Sequence, residues 1–464
     1  MSDRKNCTLS ERERFLVACV DKHRERIFEA VSYIGDHPET GFREWNTSHY
    51  LEEQFQALGY VLTLAGDIPG FYTDLDTGKP GPKVLVMGEL DALHCEGHPK
   101  AVNGVAHACG HNAQCAGLLG LAAALKEPGA MDGLSGSIRL MAVPAEELVE
   151  VAYRKSLREQ GTIRFLGGKA EFLRRGYMRD VDMAVLIHTR NLGPHIDFFA
   201  RGGSNGFVSK EITYLGCAAH AGSSPELGIN ALYAAALGLQ AINSLRETFR
   251  EDQRIRVHGV ITECGTAANV IPERAKLEMQ VRGAAPEIIR RVSGQVDRAL
   301  TGAAVSMGAR IEIENAPGYT PLVNHRPFMD LFEECVWKLV GPERVNIDHS
   351  NWSTGCTDMG DLCGVMPAIQ PYTAGAAGSG HGSDYEIEDA DRACLNPARA
   401  QLLLLHALLS GGAAKAEEII RGYKPLFTQA EYVEYLESWF ASVSPISYGE
   451  DGSVEINFRK QMQR

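Results

Sequence analysis

A cysteine and a histidine stand one residue apart in the segment HACGHN, residues 107–112, just before an alanine-rich helical pattern. The thiolate of Cys109 and the imidazole of His111 can both face one cation at this spacing, and they suit zinc or another first-row metal. Alone, a Cys-x-His pair is a weak indication of a metal site. Its value rises because other residues of ligand type follow predicted strands in the same part of the chain.

Two adjacent carboxylates, Glu146 and Glu147, follow the apolar pattern Ser137–Val143, which predicts a strand. Active sites of α/β sheets lie at the carboxyl ends of strands. One carboxylate could therefore bind a metal while its neighbour takes a proton from water. The alternative is a solvated acidic start of a helix, where the helix dipole favours glutamate.

Three further candidates lie after predicted strands or in a loop. His188 follows the apolar pattern 184–187, where it would be either a metal ligand or a structural histidine. His381 lies in the glycine-rich segment GSGHGSD, whose backbone permits close approach to a ligand but also fits a plain surface loop. Asp91 follows the strand pattern 83–87 and would either orient a metal ligand or cap the next turn.

The elements that would position these residues alternate between strand and helix. Strand patterns at 83–88, 137–143 and 184–188 are separated by helical ones, including an alanine-rich helix over 113–125. This alternation predicts an α/β domain with a mixed, mostly parallel sheet that is flanked by helices. The candidate ligands would then meet at one edge of that sheet.

The pattern changes between residues 207 and 313, where the order is strand, helix, strand, strand, helix, strand. That order fits an inserted α+β sandwich of about a hundred residues. We therefore expect a discontinuous catalytic domain, residues 1–203 and 316–464, interrupted by an inserted domain at 204–315.

Bulk composition limits the classes of function. A length of 464 residues exceeds what one hydrophobic core usually serves, so two domains are expected. The net charge of −13 and the lack of a Lys/Arg-rich block argue against a nucleic-acid partner. No apolar run is long enough for a membrane span, and the polar start lacks the apolar region of a secretory signal, which predicts a cytoplasmic protein. The eleven scattered cysteines are then expected to be reduced.

Taken in order, the motifs of this chain resemble those of the aminoacylase–carboxypeptidase family of dinuclear metallohydrolases. The subgroup that it resembles most contains p-aminobenzoyl-glutamate hydrolase and the indole-3-acetyl-amino-acid amidohydrolases. The resemblance covers most of the chain, and its motifs are HPETGFREWNTSHYLEEQFQALGY, GELDAL, HACGHN, PAEE, CAAHAGSSPELGINAL, GTAANVIPERAKLEMQVRG, CTDMGDLCGVMPAIQPY and the loop around His381.

The resemblance implies two divalent metal ions per subunit, manganese or zinc, with cobalt also possible. Cys109 would bridge them, His111 and Glu147 would serve one metal, and His188 and His381 would complete the pair. Glu146 would be the general base, and Asp91 would orient the site. Cys109 as a nucleophile is a rival role, but metal explains the neighbouring histidine and paired glutamates better.

The resemblance also implies a homodimer or higher homo-oligomer. The inserted domain would form the dimer, act as a lid and lend His220 to the partner's active site, although a hydrogen-bonded strand histidine is the alternative. Asn269 and Arg282 would contact the substrate. Two departures bear on the substrate: the segment 148–167 is longer and more basic than expected, and Arg190 could bind an anionic small molecule.

Three functions remain open on this reasoning. The first is hydrolysis of a C–N bond in a small molecule, namely the amide of an N-acyl amino acid, an aryl-amide or a dipeptide. The second is an aminohydrolase reaction that replaces an aromatic amine, such as that of a substituted anthranilate, with hydroxyl and releases ammonia. The third is a non-catalytic scaffold on the same fold, which would require lost ligands, and none is lost.

Overall fold

The computed structural model describes residues 8–458 and divides into two compact units. The first unit contains the described residues up to 203 together with 322–352 and 358–433. The second contains 204–321, 353–357 and the described residues from 434 onward. We expected the whole of 316–464 to join the catalytic domain. The last part joins the second unit instead, because residues 441–443 pair with the strand at 310–317.

The described residues contain thirteen α-helices, none of which has the length and apolar character needed to cross a membrane. The helices are α1 Glu11–Asp21, α2 Arg24–Asp36, α3 Trp45–Ala57, α4 His111–Leu125, α5 Val151–Glu159, α6 Gly168–Arg174, α7 Ala231–Leu245, α8 Pro286–Ser306, α9 Arg326–Val340, α10 Met359–Cys363, α11 Asn396–Leu409, α12 Ala414–Gly422 and α13 Gln429–Glu437.

The same residues contain twenty-two strands, many of them short. They are β1 Thr63–Leu64, β2 Phe71–Asp76, β3 Lys83–Glu89, β4 Leu93–His94, β5 Val105–Ala106, β6 Ser137–Val143, β7 Met183–Val185, β8 His188–Thr189, β9 Phe198–Ser204, β10 Gly206–Leu215, β11 Arg256–Cys264, β12 Arg274–Gly283, β13 Arg310–Pro317, β14 Leu322–Val323, β15 Val345–Ser353, β16 Ala368–Ile369, β17 Tyr372–Thr373, β18 Ala376–Ala377, β19 Glu386–Ile387, β20 Ala441–Val443, β21 Ile446–Tyr448 and β22 Val454–Ile456.

The first unit is built on a six-stranded sheet in the order β1-β2-β6-β3-β7-β16. Strands β6, β3, β7 and β16 run parallel, while β1 and β2 are antiparallel to their neighbours. Apart from their first residues, β3 and β6 are buried throughout, as expected for parallel strands that are covered on both faces. The prediction of a mixed, mostly parallel sheet flanked by helices is confirmed.

Helix α4 carries the HACGHN motif to the edge of this sheet. All of its residues are buried, because alanine, glycine and leucine dominate every face of the helix. A glycine in its middle, Gly120, allows close packing, since a Cβ there would overlap the side chain of Ile27. The helix begins at His111 itself, so its buried body fixes that residue and the preceding Cys109 in place.

The predicted strand at 184–188 is in fact two strands in different sheets. β7 pairs with β3, whereas β8 pairs in parallel with β17, so that His188 lies opposite Tyr372. β17 also pairs antiparallel with β9, within a smaller sheet ordered β14-β9-β17-β8. The change of sheet takes His188 away from the main sheet and beside Tyr372.

The second unit is an antiparallel sheet in the order β11-β12-β10-β13-β20, with helices α7 and α8 packed on it. Buried and less buried residues alternate along β10 and β12, because one face of the sheet meets the helices. The predicted order of strand, helix, strand, strand, helix, strand is confirmed. A role of this unit as a lid or dimer interface stays a prediction.

Candidate metal centre

All five predicted metal ligands meet in the first unit, in two groups that share Cys109. The ligand atoms of Cys109, His111 and His188 lie within 4.8 Å of one another, and so do those of Cys109, Glu147 and His381. Cys109 Sγ is 3.4 Å from His188 Nε2, and His381 Nε2 is 3.0 Å from Glu147 Oε1. Segments far apart in the sequence therefore converge on one sulfur atom.

The division of the ligands differs from the sequence expectation, which placed His111 with Glu147 on one metal. β8 brings the ring of His188 edge-on to that of His111, with centroids 5.5 Å apart, while the loop at 378–384 brings His381 to Glu147. His111 and Glu147 still lie close together, in a third group with Glu146. The geometry thus favours His111 with His188, and Glu147 with His381.

The donor atoms fit divalent cations. Nδ1 of His111 is 2.8 Å from the carbonyl oxygen of Asp91, which leaves Nε2 for a metal. That Nε2 is buried and lies 3.2 Å from Glu89 Oε2, while Glu147 Oε1 faces the ring of His381 at 3.0 Å. Thiolate, imidazole and carboxylate together suit a first-row divalent metal.

The protonation of Cys109 bears on its role. Burial raises the pKa of the thiol well above its usual range, and the neighbouring Glu147 raises it further. A thiol of this kind is a poor nucleophile without a metal, because the thiolate is the reactive form. Burial also lowers the pKa of His188 to about 4, so that its ring is neutral and able to bind a cation.

Asp91 links two of the ligands. Its Oδ1 is 3.2 Å from His111 Nδ1, and its Oδ2 accepts a hydrogen bond of 2.8 Å from the main-chain N–H of Glu147. Burial opposes its ionisation, but the bond to His111 and the Glu147 N–H hold its pKa below the usual range. These contacts fit the orienting role that was predicted for it.

Glu146 is buried beside other carboxylates. Burial raises its pKa well above the usual range, and the charges of Glu89, Glu147 and Asp358 raise it further. Oxygen atoms of Glu89, Glu146 and Asp358 lie within 4.8 Å of one another. A carboxyl group with a raised pKa suits general acid–base catalysis near neutral pH.

The sequence interpretation missed a buried lysine among these carboxylates. Lys169 Nζ is 2.5 Å from Glu89 Oε1 and also contacts Asp358, and all three side chains are buried. Its positive charge partly offsets the cluster of carboxylates around Glu146. Two signals could have revealed this set, since Glu89 lies in GELDAL and Asp358 in CTDMGD, motifs that the resemblance had already marked.

The long segment 148–167 contributes a second buried cation that was not predicted. Arg154, on α5, is fully buried and donates hydrogen bonds to the carbonyl oxygens of Leu166, at 2.6 Å, and of Glu147. It also lies 3.5 Å from Ala145 O. The segment thus packs beneath the turn that carries Glu146 and Glu147.

The remaining candidates occupy two places. Arg190 is exposed just beyond β8 in the first unit, with its guanidinium carbon 5.7 Å from the centre of the Tyr372 ring. The second unit contains His220, Asn269 and Arg282. The main-chain N–H of the residue after His220 donates to Asn269 O at 2.9 Å. Arg282 lies on β12 and donates to Gln280 Oε1 at 2.7 Å. Their contacts with substrate stay predictions.

Comparison with known proteins decides the family. Residues 85–400 match the family model of peptidase family M20/M25/M40. The chain belongs to this family. It is therefore an amidohydrolase, and the resemblance inferred from its motifs is confirmed.

Two curated M20 relatives illustrate the similarity. The chain is 30% identical over 329 residues to indole-3-acetyl-aspartic acid hydrolase of Enterobacter agglomerans, covering 59% of this chain and 70% of that protein. It is 31% identical over 268 residues to one of the subunits of p-aminobenzoyl-glutamate hydrolase from Escherichia coli, covering 54% of this chain and 56% of that protein. The chain thus spans little more than half of the second relative.

A solved structure shares the fold. It is the YxeP protein of Bacillus subtilis, described as a dinuclear metal-binding peptidase of the M20 family. The TM-score is 0.65 at 20% identity, over 84% of this chain and 99% of that one. At this identity the similarity shows the fold alone.

Proposed function

We propose that this protein hydrolyses the amide bond of a small N-acyl amino acid, aryl-amide or dipeptide at a pair of divalent cations. The observation that carries the proposal is the sharing of Cys109 by two groups of three ligands. One group would hold a cation with His111 and His188, and the other with Glu147 and His381. Manganese and zinc both suit these donors, and cobalt is a third choice.

Two cations bound there would lower the pKa of a water molecule and polarise the scissile carbonyl. Glu146 would take a proton from the attacking water and return it to the leaving nitrogen. Its burial among carboxylates supports both steps, because a raised pKa lets the same group accept and donate a proton near neutral pH. Asp91 would keep His111 and the Glu147 main chain in place during these steps.

The second unit would complete the site in a homodimer. Nδ1 of His220 accepts hydrogen bonds from the main-chain N–H groups of Gly222 and Ser223, at 3.1 and 3.0 Å. The proton then resides on Nε2, where the partner's His220 could donate to the developing oxyanion. Asn269 and Arg282 would contact the rest of the substrate.

The names of two relatives support an amide substrate. Indole-3-acetyl-aspartic acid and p-aminobenzoyl-glutamate both join an aromatic acyl group to an acidic amino acid. A substrate of this class has one amide bond to cleave and carries carboxylates at neutral pH. We therefore expect a free amino acid and a carboxylic acid as products.

The test combines a substrate panel with one isosteric variant. Cation-loaded and chelator-treated protein would be incubated with N-acyl amino acids, dipeptides and substituted anthranilates, and the products identified by mass spectrometry. Glu146→Gln should lower kcat about 10²- to 10⁴-fold while retaining two cations per chain, because only the proton transfer is lost. Glu127→Gln is the matched control, since this glutamate pairs with Lys22 on the surface.

Each outcome has a defined meaning. Cleavage of an amide that requires cations and Glu146 supports the proposal. Release of ammonia from an anthranilate would replace it with the aminohydrolase reaction. Full activity of Glu146→Gln would refute the assignment of the base, and a chain that binds no cation would refute the metal pair.

A further inference from the structure

Two arginines converge on one aromatic ring beside the candidate metal centre. Tyr372 lies 5.7 Å from His188, measured between ring centroids. The guanidinium carbon of Arg190 is 5.7 Å from the centre of the Tyr372 ring, and that of Arg201 is 5.5 Å from it. The pairing of β17 with β8 and β9 creates this arrangement, because it places Tyr372 opposite both His188 and Phe199.

Arg201 is a buried cation. Only 9% of its surface is exposed, and its Nε has no hydrogen-bond partner among the described residues. Burial lowers the pKa of its guanidinium, and the nearby charge of Arg190 lowers it further, against the opposing effect of Tyr372. Keeping two like charges near each other, one of them out of water, is unfavourable unless an anion accompanies them.

Two other arginines near this sheet show what a paired cation looks like. Arg344 Nη2 is 2.7 Å from Asp197 Oδ1, and Arg392 Nε is 2.6 Å from the same oxygen. In the part of the chain that the structure describes, Arg190 and Arg201 have no such carboxylate partner within ion-pair distance. Their combined charge therefore remains available to a ligand.

A carboxylate is the ligand that fits this pair. A planar guanidinium can donate two parallel hydrogen bonds to a carboxylate, and such charge-assisted bonds are stronger than neutral ones. The position next to His188 also limits the choice, because the anion must belong to a molecule that reaches the candidate metals. A carboxylate of the substrate meets both conditions.

We propose that Arg190 and Arg201, both next to the ring of Tyr372, bind a carboxylate of the substrate on the His188 side of the metal centre. The inference rests on the proposed function and adds to it the two residues that would select a substrate carboxylate. Arg201 carries the buried, specificity-determining charge, and Arg190 supplies the second, more exposed one.

The test compares N-acetylglutamate with its diamide, which has the same scissile bond but no carboxylates. Calorimetric titration of the chelator-treated full chain measures binding without any contribution from cations. The wild type should bind N-acetylglutamate about 10- to 100-fold more tightly than the diamide, as expected for a charge-assisted contact. Arg201→Met and Arg190→Met should abolish this preference, and Arg201→Lys should restore part of it.

The melting temperature separates binding from a structural role. Arg201→Met should not lower it, because the substitution removes a buried charge that lacks a carboxylate partner. Arg344→Met is the matched control: it removes a paired arginine, so it should lower the melting temperature and leave the ligand preference intact. A preference that survives Arg201→Met, or a wild type without one, overturns the subsite.

Kinetics of the cation-loaded enzyme distinguish this proposal from the proposed function. If the subsite is correct, Arg201→Met raises KM for the carboxylate substrate more than it lowers kcat. Equal kcat/KM for the charged and neutral compounds would overturn the subsite while leaving the hydrolase proposal standing. Discrimination in binding, with no amide of the substrate panel hydrolysed by the cation-loaded enzyme, would leave the subsite standing and refute the proposed reaction.

Discussion

Two short segments supply Glu147 and His381 to the ligand group that they form with Cys109, and the two segments are held in opposite ways. The turn at 144–147 is buried, whereas the loop at 378–384 is largely exposed. Each contains a residue other than glycine with positive φ, 58° at Ala145 and 64° at His381. Such a conformation persists only where the surroundings impose it.

The turn is held by buried charges. The N–H of Ala145 donates to Glu44 Oε1 at 2.8 Å, and the carbonyl oxygen of Glu147 accepts from Arg154. The N–H of Glu147 donates to Asp91 at 2.8 Å. A buried arginine and two buried carboxyl groups thus fix this turn from the interior of the protein.

The loop is held by main-chain contacts. The N–H of His381 donates to Ala108 O at 2.8 Å, next to the shared ligand Cys109, and the N–H of Ser379 donates to Asp384 Oδ1 at 3.1 Å. The His381 side chain itself is 56% exposed. One ligand is therefore fixed by buried polar and charged groups, whereas the other lies on an exposed loop that is held by a few local contacts.

Removing the buried arginine that supports the turn should have the largest effect. We expect Arg154→Met to lower the free energy of unfolding by about 2–4 kcal/mol, because the carbonyl oxygens of Leu166 and Glu147 lose their donor. The substitution should also lower the affinity of the Glu147 site for a divalent metal ion about 10- to 100-fold. Chemical denaturation and competition with a chelator measure the two effects.

Arg139→Met controls for the loss of a buried arginine. Arg139 lies near the start of β6, 2.6 Å from Asp74, so its loss should destabilise the fold without weakening cation binding. Unchanged cation affinity in Arg154→Met would contradict the idea that this arginine supports the turn.

A matched pair of glycines tests the packing around the two segments. A Cβ at Gly168 would overlap the carbonyl oxygen of Pro144, whereas a Cβ at Gly380 would meet open space. Gly168→Ala should therefore lower the free energy of unfolding by about 1–3 kcal/mol, and Gly380→Ala should change it by less than about 0.5 kcal/mol. Equal values in urea denaturation would show that the loop is as constrained as the turn.

The smallest effect that we expect is a change of stability with pH. In the cation-free protein, the hydrogen bond to Glu147 raises the pKa of His381 above its usual value of 6.5, despite partial burial. Because the pKa of His381 is higher in the folded state, the stabilisation of the fold by its pair with Glu147 is fully present below pH 6.5. This stabilisation is lost as the pH rises through the folded-state pKa. Because the ring is exposed, it should not exceed about 1 kcal/mol.

The measurement compares chelator-treated wild type with His381→Asn, since asparagine tolerates the left-handed conformation. The difference in melting temperature should shrink as the pH is raised from mildly acidic to alkaline. A difference that stays constant or grows with pH would show that the ion pair does not form in solution.

Much of the fold was predictable because apolar periodicity reports which faces are buried. The strand pattern at 137–143 coincides with β6, and the alanine-rich helical pattern at 113–125 nearly coincides with α4. The division of 184–188 between two sheets was not predictable, since a short apolar run looks the same in either sheet. The return of the chain to the second unit after residue 434 was missed because β20 is only three residues long.

The site was predictable where ligand types follow strands, and unpredictable where a charge is buried. Cys109, Glu147 and His381 were candidates from residue type and motif, and the fold brings them together. Lys169, Arg154 and Arg201 were missed because lysine and arginine usually lie on the surface, and periodicity does not report that they are buried. Only the tertiary structure brings their partners into reach.

The sharing of Cys109 by both ligand groups makes the centre depend on a single atom. If two cations bind as proposed, loss of His188 or His381 would remove one donor from one cation, whereas any change to the Cys109 sulfur would remove a donor from both. Oxidation to a sulfenic or sulfinic acid would therefore inactivate the pair as a unit. In the cation-free protein the raised pKa of the Cys109 thiol would slow that oxidation, so a chain that had lost its proposed metals would keep this ligand for rebinding.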